Sequence, residues 1–245
     1  MRKIDLVNLR SRHALTLSDR MPWPVPKSSV HWRTYINEGC TEHMSNPDDK
    51  GYFLHETVIV DGEVRIGQDT KVWHFSKLLG PLDIGRSCSL GQNVVVERNV
   101  TIGNNVKIQN NVSVYSGVIL EDDVFCGPSM VFTNVGTPRS AYPRKGQYQV
   151  TRVKRGASIG ANATVICGRE LGQYCFVGAG SVVTKDVPDY GLVYGNPARL
   201  KGWACFCGER LAMHVDETQD ETAHCEECGR NYNRRGLVVT EVSNT

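Results

Sequence analysis

No stretch of the 245 residues is apolar for long enough to cross a bilayer, and the opening "MRKIDLVNLRSRHALTLSDRMPWPVP" lacks the apolar run of a signal peptide. The expectation is a cytoplasmic protein without a membrane partner. Charge of one sign is also lacking: the formal net charge is +2, too little for the basic footprint that a nucleic acid requires. Histidine is scarce, with seven in all and none between His74 and His214. That gap excludes a zinc hydratase of the carbonic-anhydrase type, which needs several imidazoles on neighbouring turns. Cysteine is not lacking, but a disulfide pattern is. Four of the nine sit in "CFCG" and "CEECG" near the end and the rest are scattered singly, which fits a reducing compartment and a metal site.

What is present is a period. Stepping by six from Leu54 meets Val60, Ile66, Val72 and so on to Phe132, fourteen positions, all apolar. Against an apolar background of 40%, such a run arises by chance about a few times in a million. A helix needs steps of three and four and a half-buried strand needs two, so neither explains six. A second apolar row lies two residues earlier, including Cys88, Val94, Val100, Val106, Val112, Val118 and Val124; strand alternation points it inward as well. Each hexad is thus a short strand and a corner, with Gly67, Gly85, Gly91, Gly103 and Gly127 expected where the chain turns sharply. Three sides close a triangular coil of eighteen residues, and stacked coils pair strand on strand as a parallel β-helix. The step resumes from Val153 to Val183, giving about seven coils. Between the runs lies "TNVGTPRSAYPRKGQYQVTR", residues 133–152, a polar basic loop of the length that usually carries function.

The hexads and the closing "GAGSVVTKDVPDYGLVYGNPAR" resemble the hexapeptide-repeat acyltransferases. More narrowly, "VWHF", "LGQNV", "KIQNNVSVY", "VFCGPSMVFTNV" and "PRS" followed by "RKGQY" resemble the N-acetyltransferases of nucleotide-linked 3-amino sugars, notably of UDP-2-acetamido-3-amino-2,3-dideoxy-glucuronate. The resemblance covers about residues 55–203. It implies an all-β, left-handed parallel β-helix, a homotrimer with acetyl-CoA held between subunits, and a nucleotide-sugar substrate in surface polysaccharide biosynthesis. A non-catalytic solenoid scaffold or a zinc-ribbon binding module is the alternative, and thiol release from acetyl-CoA separates the two.

Residues eighteen apart stack, so the repeat says which corner side chains meet. His74, Gln92, Asn110 and Pro128 form one column, flanked by Trp73, Gly91, Gln109 and Gly127 and by Phe75, Asn93, Asn111 and Ser129. Amides and imidazole in line suit sugar hydroxyls and phosphate, with Gln92, Asn110 and Asn111 as substrate contacts. Asparagine also tolerates the left-handed backbone of tight corners, so Asn93, Asn105 and Asn111 have a second explanation. Transfer of an acyl group to an amine needs an aligned, unprotonated nitrogen and support for an oxyanion. His74 is the central imidazole of the repeat and a candidate proton acceptor. Asn134, which opens the loop, is the competing catalytic candidate: its carbonyl can orient an amine and its amide can support an oxyanion. In the family resembled, the matching asparagine lies beside the reacting amino group. Arg139 and Lys145 suit a uronate carboxylate or a phosphate. For acetyl-CoA, "SIGANATV" and "FVGAGSVV" place Gly160, Ala161, Gly178, Ala179 and Gly180 where an extended arm can approach backbone, and Arg199 can meet its phosphates.

The ends differ from the repeat. Residues 1–53 form an irregular extension, broken by "PWPVPKSS", before a repeat domain of residues 54–203. In the module of residues 204–245, Cys205, Cys207, Cys225 and Cys228 form two close pairs, each followed by glycine. They place four thiolates for one tetrahedral ion, a structural Zn²⁺, with iron as the alternative. His224 is a possible substitute ligand, and the first pair is C-x-C where an ordinary knuckle has C-x-x-C.

Overall fold

The computed structural model describes residues 51–215 and 219–242; most of the expected amino-terminal extension lies outside them. The described residues contain no helix and form three parallel sheets wound as one coil, followed by antiparallel strands. The first face stacks eight strands, from Phe53–Leu54 through Lys71–Val72 and Ser89–Leu90 to Gly191–Tyr194. The second stacks seven, from Ile59–Asp61 to Val182–Val183, and the third six, from Val64–Ile66 to Glu170–Leu171. This is the parallel β-helix that the period predicts, with eight strands on its longest face against about seven coils expected. Pairing runs Lys71 to Ser89 to Lys107 to Phe125, eighteen residues each time. Phe125 then pairs with Ser158, thirty-three residues on, so the loop is fifteen residues added to one coil without a break in the stack.

Both inward rows are buried. The six-step is fully enclosed from Val72 to Val183, and Cys88, Val94, Val100, Val106, Val112, Val118 and Val124 are all at most 2% exposed; each enclosed aliphatic adds about 1.5–3 kcal/mol by leaving water. Val60 is 45% exposed because it belongs to the first described coil, which no described coil covers. Where the second row holds a hydroxyl, the hydroxyl serves the next coil. Thr70 Oγ1 donates to the Gly85 carbonyl (2.7 Å) and accepts the Cys88 N–H (3.0 Å), so the buried polar group is satisfied.

The corner glycines do not have the expected role. Gly67, Gly85, Gly91, Gly103 and Gly127 are not left-handed; a Cβ on Gly85 would lie 2.4 Å from the Gly103 carbonyl oxygen, and one on Gly127 2.6 Å from Ala161 N. They are small because the next coil passes directly against them. The left-handed residue comes two positions later: Asp69, Ser87, Asn93, Asn105 and Ser129 all have φ between 53 and 61°.

Candidate functional site

The coil has three edges, and the candidate residues divide between two of them. Corners between the first and second faces carry residues 73–75, 91–93, 109–111, 127–129, 160–162 and 178–180. His74, Gln92, Asn110, Asn111, Gly160, Ala161, Gly178, Ala179 and Gly180 therefore share one edge, on successive coils. Asn134 leaves the second-face strand Val131–Phe132 and the chain rejoins the third face at Thr151–Val153, so Asn134 and the loop stand on the next edge.

On the first of these edges, Trp73, His74, Ser89, Gly91, Gln92, Ile108, Gln109 and Asn110 line a groove of about 310 Å³. His74, Gln92 and Gln109 make no side-chain hydrogen bond among the described residues, so their polar ends remain available. Asn110 is partly committed, since its Oδ1 accepts the Gln92 N–H at 2.9 Å. Asn111 is both a left-handed corner (φ 62°) and the acceptor for Asn93 Nδ2 at 3.1 Å, so its position follows from coil geometry alone. A residue outside the expected column also reaches the site: the His55 ring lies against His74, centroids 3.6 Å apart and planes tilted by 31°. The period contains the signal, because Leu54 pairs with Val72 and His55 therefore stands one coil from Trp73.

Further along, a second property of the edge appears. At other corners the exposed N–H is capped by a side-chain oxygen of the next coil, as Arg86 by Asn104, Asn104 by Asp122 and Gln173 by Asp189. The residues stacked on Ala161 and Ala179 are Ala179 and Gly195, which have no such oxygen, and the N–H groups of Ala161 and Ala179 have no acceptor among the described residues. They are donors on neighbouring coils that an extended amide chain can meet. Gly160 and Gly178 are glycines for packing: a Cβ would lie 2.5 Å from Ala179 N and 2.8 Å from Tyr194 Cβ respectively. Gly180 faces open space with φ 68°. Arg199 pairs with Tyr194, which packs against Gly178, and it also lines a cleft of about 230 Å³ with Lys185 and Leu237.

The loop holds its own cleft of about 420 Å³, lined by Val135, Pro138, Arg139, Ser140, Pro143, Arg144, Lys145 and Tyr148. Arg139 and Lys145 both line it. Arg144 and Tyr148 join them; the signal was the basic run itself, in which Arg144 adjoins Lys145. The base of the loop is pinned where the Gln149 N–H donates to the Asn134 carbonyl at 3.0 Å, and Gln149 Oε1 accepts the Cys167 thiol at 3.4 Å. No residue lines both the loop cleft and the coil groove. Within the coil, burial pushes the Cys126 thiol up to about 12 and Cys175 higher still, so neither is a competing nucleophile.

In the carboxy-terminal module, the Sγ atoms of Cys205, Cys207, Cys225 and Cys228 lie within 4.8 Å of one another. The donor set suits a tetrahedral thiolate ion. His224 Nδ1 is instead within hydrogen-bonding distance (2.8 Å) of Asn231 Oδ1, outside that cluster.

Comparison with known proteins agrees with the fold. Residues 81–116 and 153–185 match the family described as "Hexapeptide repeat of succinyl-transferase". The chain is 48% identical over 92 residues to the dTDP-3-amino-3,6-dideoxy-alpha-D-galactopyranose 3-N-acetyltransferase of Aneurinibacillus thermoaerophilus, covering 38% of this chain and 45% of that one. It is 28% identical over 190 residues to the bifunctional protein GlmU of Heliobacterium modesticaldum, covering 76% and 39%. The matches thus span less than half of either relative. Among solved structures, LpxA, a UDP-N-acetylglucosamine acyltransferase from Bacteroides fragilis, is 17% identical with a TM-score of 0.52, covering 62% of this chain and 61% of that one; it shares the fold. The chain thus carries hexapeptide repeats over residues 81–116 and 153–185, has the fold that LpxA shares, and over part of its length is similar to acetyltransferases built on such repeats.

Proposed function

We propose that the chain is an acetyl-CoA-dependent N-acetyltransferase acting on the 3-amino group of a nucleotide-linked amino sugar. The observation that carries this reading is the single edge on which a polar groove of His74, Gln92, Gln109 and Asn110 is followed, coil by coil, by the uncapped amides of Ala161 and Ala179. Sugar and diphosphate suit the first part, pantetheine amides the second. The 3-N-acetyltransferase relative supports the substrate class. Within that class we favour a UDP-linked amino uronate for surface polysaccharide, because Arg139 and Lys145, with Arg144, concentrate positive charge in the loop cleft. A cytoplasmic setting follows from the same reading.

In this reaction the amine nitrogen attacks the thioester carbonyl, an oxyanion forms, the C–S bond breaks, and the ammonium proton passes to a base, water or the departing thiolate. A thiol of pKa about 8.5 leaves without much acid assistance, so positioning is the main demand. Asn134 orients the amine in this scheme and His74 is available to take the proton.

Asn134 and His74 stand on adjacent edges, with the second face between them. That face presents Ile59, Lys77, Val95, Ser113, Val131, Thr164 and Val182 outward, with Ile59 58% and Val131 46% exposed. The third face is charged and internally paired, as in Arg65–Asp83 and Arg152–Glu121. Three chains packed with second faces toward a common axis bring the His74 edge of one beside the Asn134 edge of the next. We therefore favour a homotrimer with transfer sites between subunits, and we assign the cysteine module one structural zinc, because four sulfurs leave no open position for catalysis. The test is thiol release from acetyl-CoA with UDP- and dTDP-linked 3-amino sugars. Acetylated sugar nucleotide and equimolar CoA are expected; failure to turn over any member of the panel, with a folded protein that binds CoA, favours a scaffold.

A further inference from the structure

We propose that the metal site is the clasp of a cap that closes the carboxy-terminal end of the coil stack. This rests on the zinc reading above and goes beyond it by giving the ion a job. A parallel coil ends in an open strand edge and an apolar interior, and both must be covered. Here the edge is Gly191–Tyr194, and the chain folds back on it as Arg199–Ala204 and then Arg210–Leu211, both antiparallel. A separate three-stranded sheet follows, Glu221–His224, Asn231–Arg235 and Val238–Val242, with no strand pairing to the first.

The four sulfurs join these two sheets. Cys205 and Cys207 follow Arg199–Ala204 in the sheet that continues the coil, whereas Cys225 and Cys228 lie in the turn between Glu221–His224 and Asn231–Arg235. Cys205 Sγ is 3.3 Å from Cys228 Sγ, and Cys207 Sγ is 3.6 Å from Cys225 Sγ. A zinc ion with four sulfurs at about 2.3 Å has tetrahedron edges of about 3.8 Å, close to this spacing. The turns match across the site: Gly208 (φ 97°) donates its N–H to the Cys205 carbonyl at 2.9 Å, and Gly229 (φ 71°) to the Cys225 carbonyl at 2.8 Å. One knuckle therefore comes from each sheet, despite the shorter C-x-C spacing of the first.

The residue inside the first knuckle presses on the coil. Phe206 packs against Tyr174 (centroids 5.1 Å), and the Arg230 guanidinium lies 3.8 Å from its ring centre. Tyr174 and Tyr190 are corners of the last coils, and Tyr190 meets Tyr232 of the three-stranded sheet edge-on at 5.4 Å. Tyr232 OH lies 3.1 Å from Cys205 Sγ and accepts the Phe206 N–H at 3.0 Å. The ion thus holds together a cluster of four aromatics at the end of the stack, Tyr174, Tyr190 and Phe206 from the coil side and Tyr232 from the separate sheet.

The experiment uses full-length protein purified under reductant without chelator. Metal analysis should find one zinc per chain, and cobalt exchanged into the site should give the absorption of a tetrahedral thiolate centre. Hydrogen exchange before and after zinc is stripped by a strong chelator is the decisive readout. Amides of residues 199–242 and of Gly191–Tyr194 should exchange faster by about 10²-fold or more after stripping, with the coils from Val72 to Val165 unchanged. Zinc present but exchange unaltered by its removal overturns the clasp and leaves the zinc reading standing. Absence of zinc, or two disulfides in its place, overturns both, and neither outcome bears on the transferase reading.

Discussion

Two side chains offer the reacting centre different help, and their removal separates the roles. If Asn134 orients the amine, Asn134→Ala lowers turnover by about 10²-fold or more in a folded protein. If His74 is the obligatory base, His74→Ala costs about 10²- to 10⁴-fold and removes the acidic limb of the kcat profile. The larger loss is expected at Asn134, since His74 stands among amides that suit binding; kcat and KM for both variants measure it. A third residue-scale outcome concerns pH. Glu221 is held down to about 2 by hydrogen bonds from His214 and from Arg234, whose side chain is fully buried. A carboxyl lowered on folding stabilises the folded state above its unfolded value, near 4.5, and that stability is lost as pH falls toward 2. Stability of the carboxy-terminal module should therefore fall over this window, and Glu221→Gln should remove that dependence in acid melts followed at Trp203.

The repeating element makes its own demands at the corners. Gly85→Ala places a methyl against the Gly103 carbonyl, so the coils must part, and a loss of about 1–3 kcal/mol in denaturant unfolding is expected. Replacing Asn105, already left-handed, by glycine should cost far less. These glycines show where sequence reading reaches its limit. The step of six and the inward rows were legible because burial imposes them at every turn, from Val72 to Val183. The reason for Gly85 was not, because contact between coils leaves the same letter as a sharp bend. The same holds for the site. The groove of His74, Gln92 and Asn110 followed from stacking by eighteen. His55 lies at the start of the period, and the same register carries it beside His74. The loop's Arg144 and Tyr148 could not be separated from their neighbours, because nothing periodic orders residues 133–152.

For the whole molecule, the proposed roles of His74 and Asn134, which stand on different edges, require activity to be a property of the assembly. A trimer in sedimentation is expected, and disruption of the second face, as by Val131→Glu, should release monomers and remove turnover together. The most direct test mixes subunits. His74→Ala/Gln92→Ala disables the groove edge and Asn134→Ala disables the loop edge, and each homotrimer alone should be nearly inactive. Trimers reassembled from equal amounts should regain about a quarter of wild-type turnover, because about one interface in four then joins an intact groove edge to an intact loop edge. Mixed trimers verified by native mass spectrometry that recover no activity would contradict a site shared between neighbouring chains.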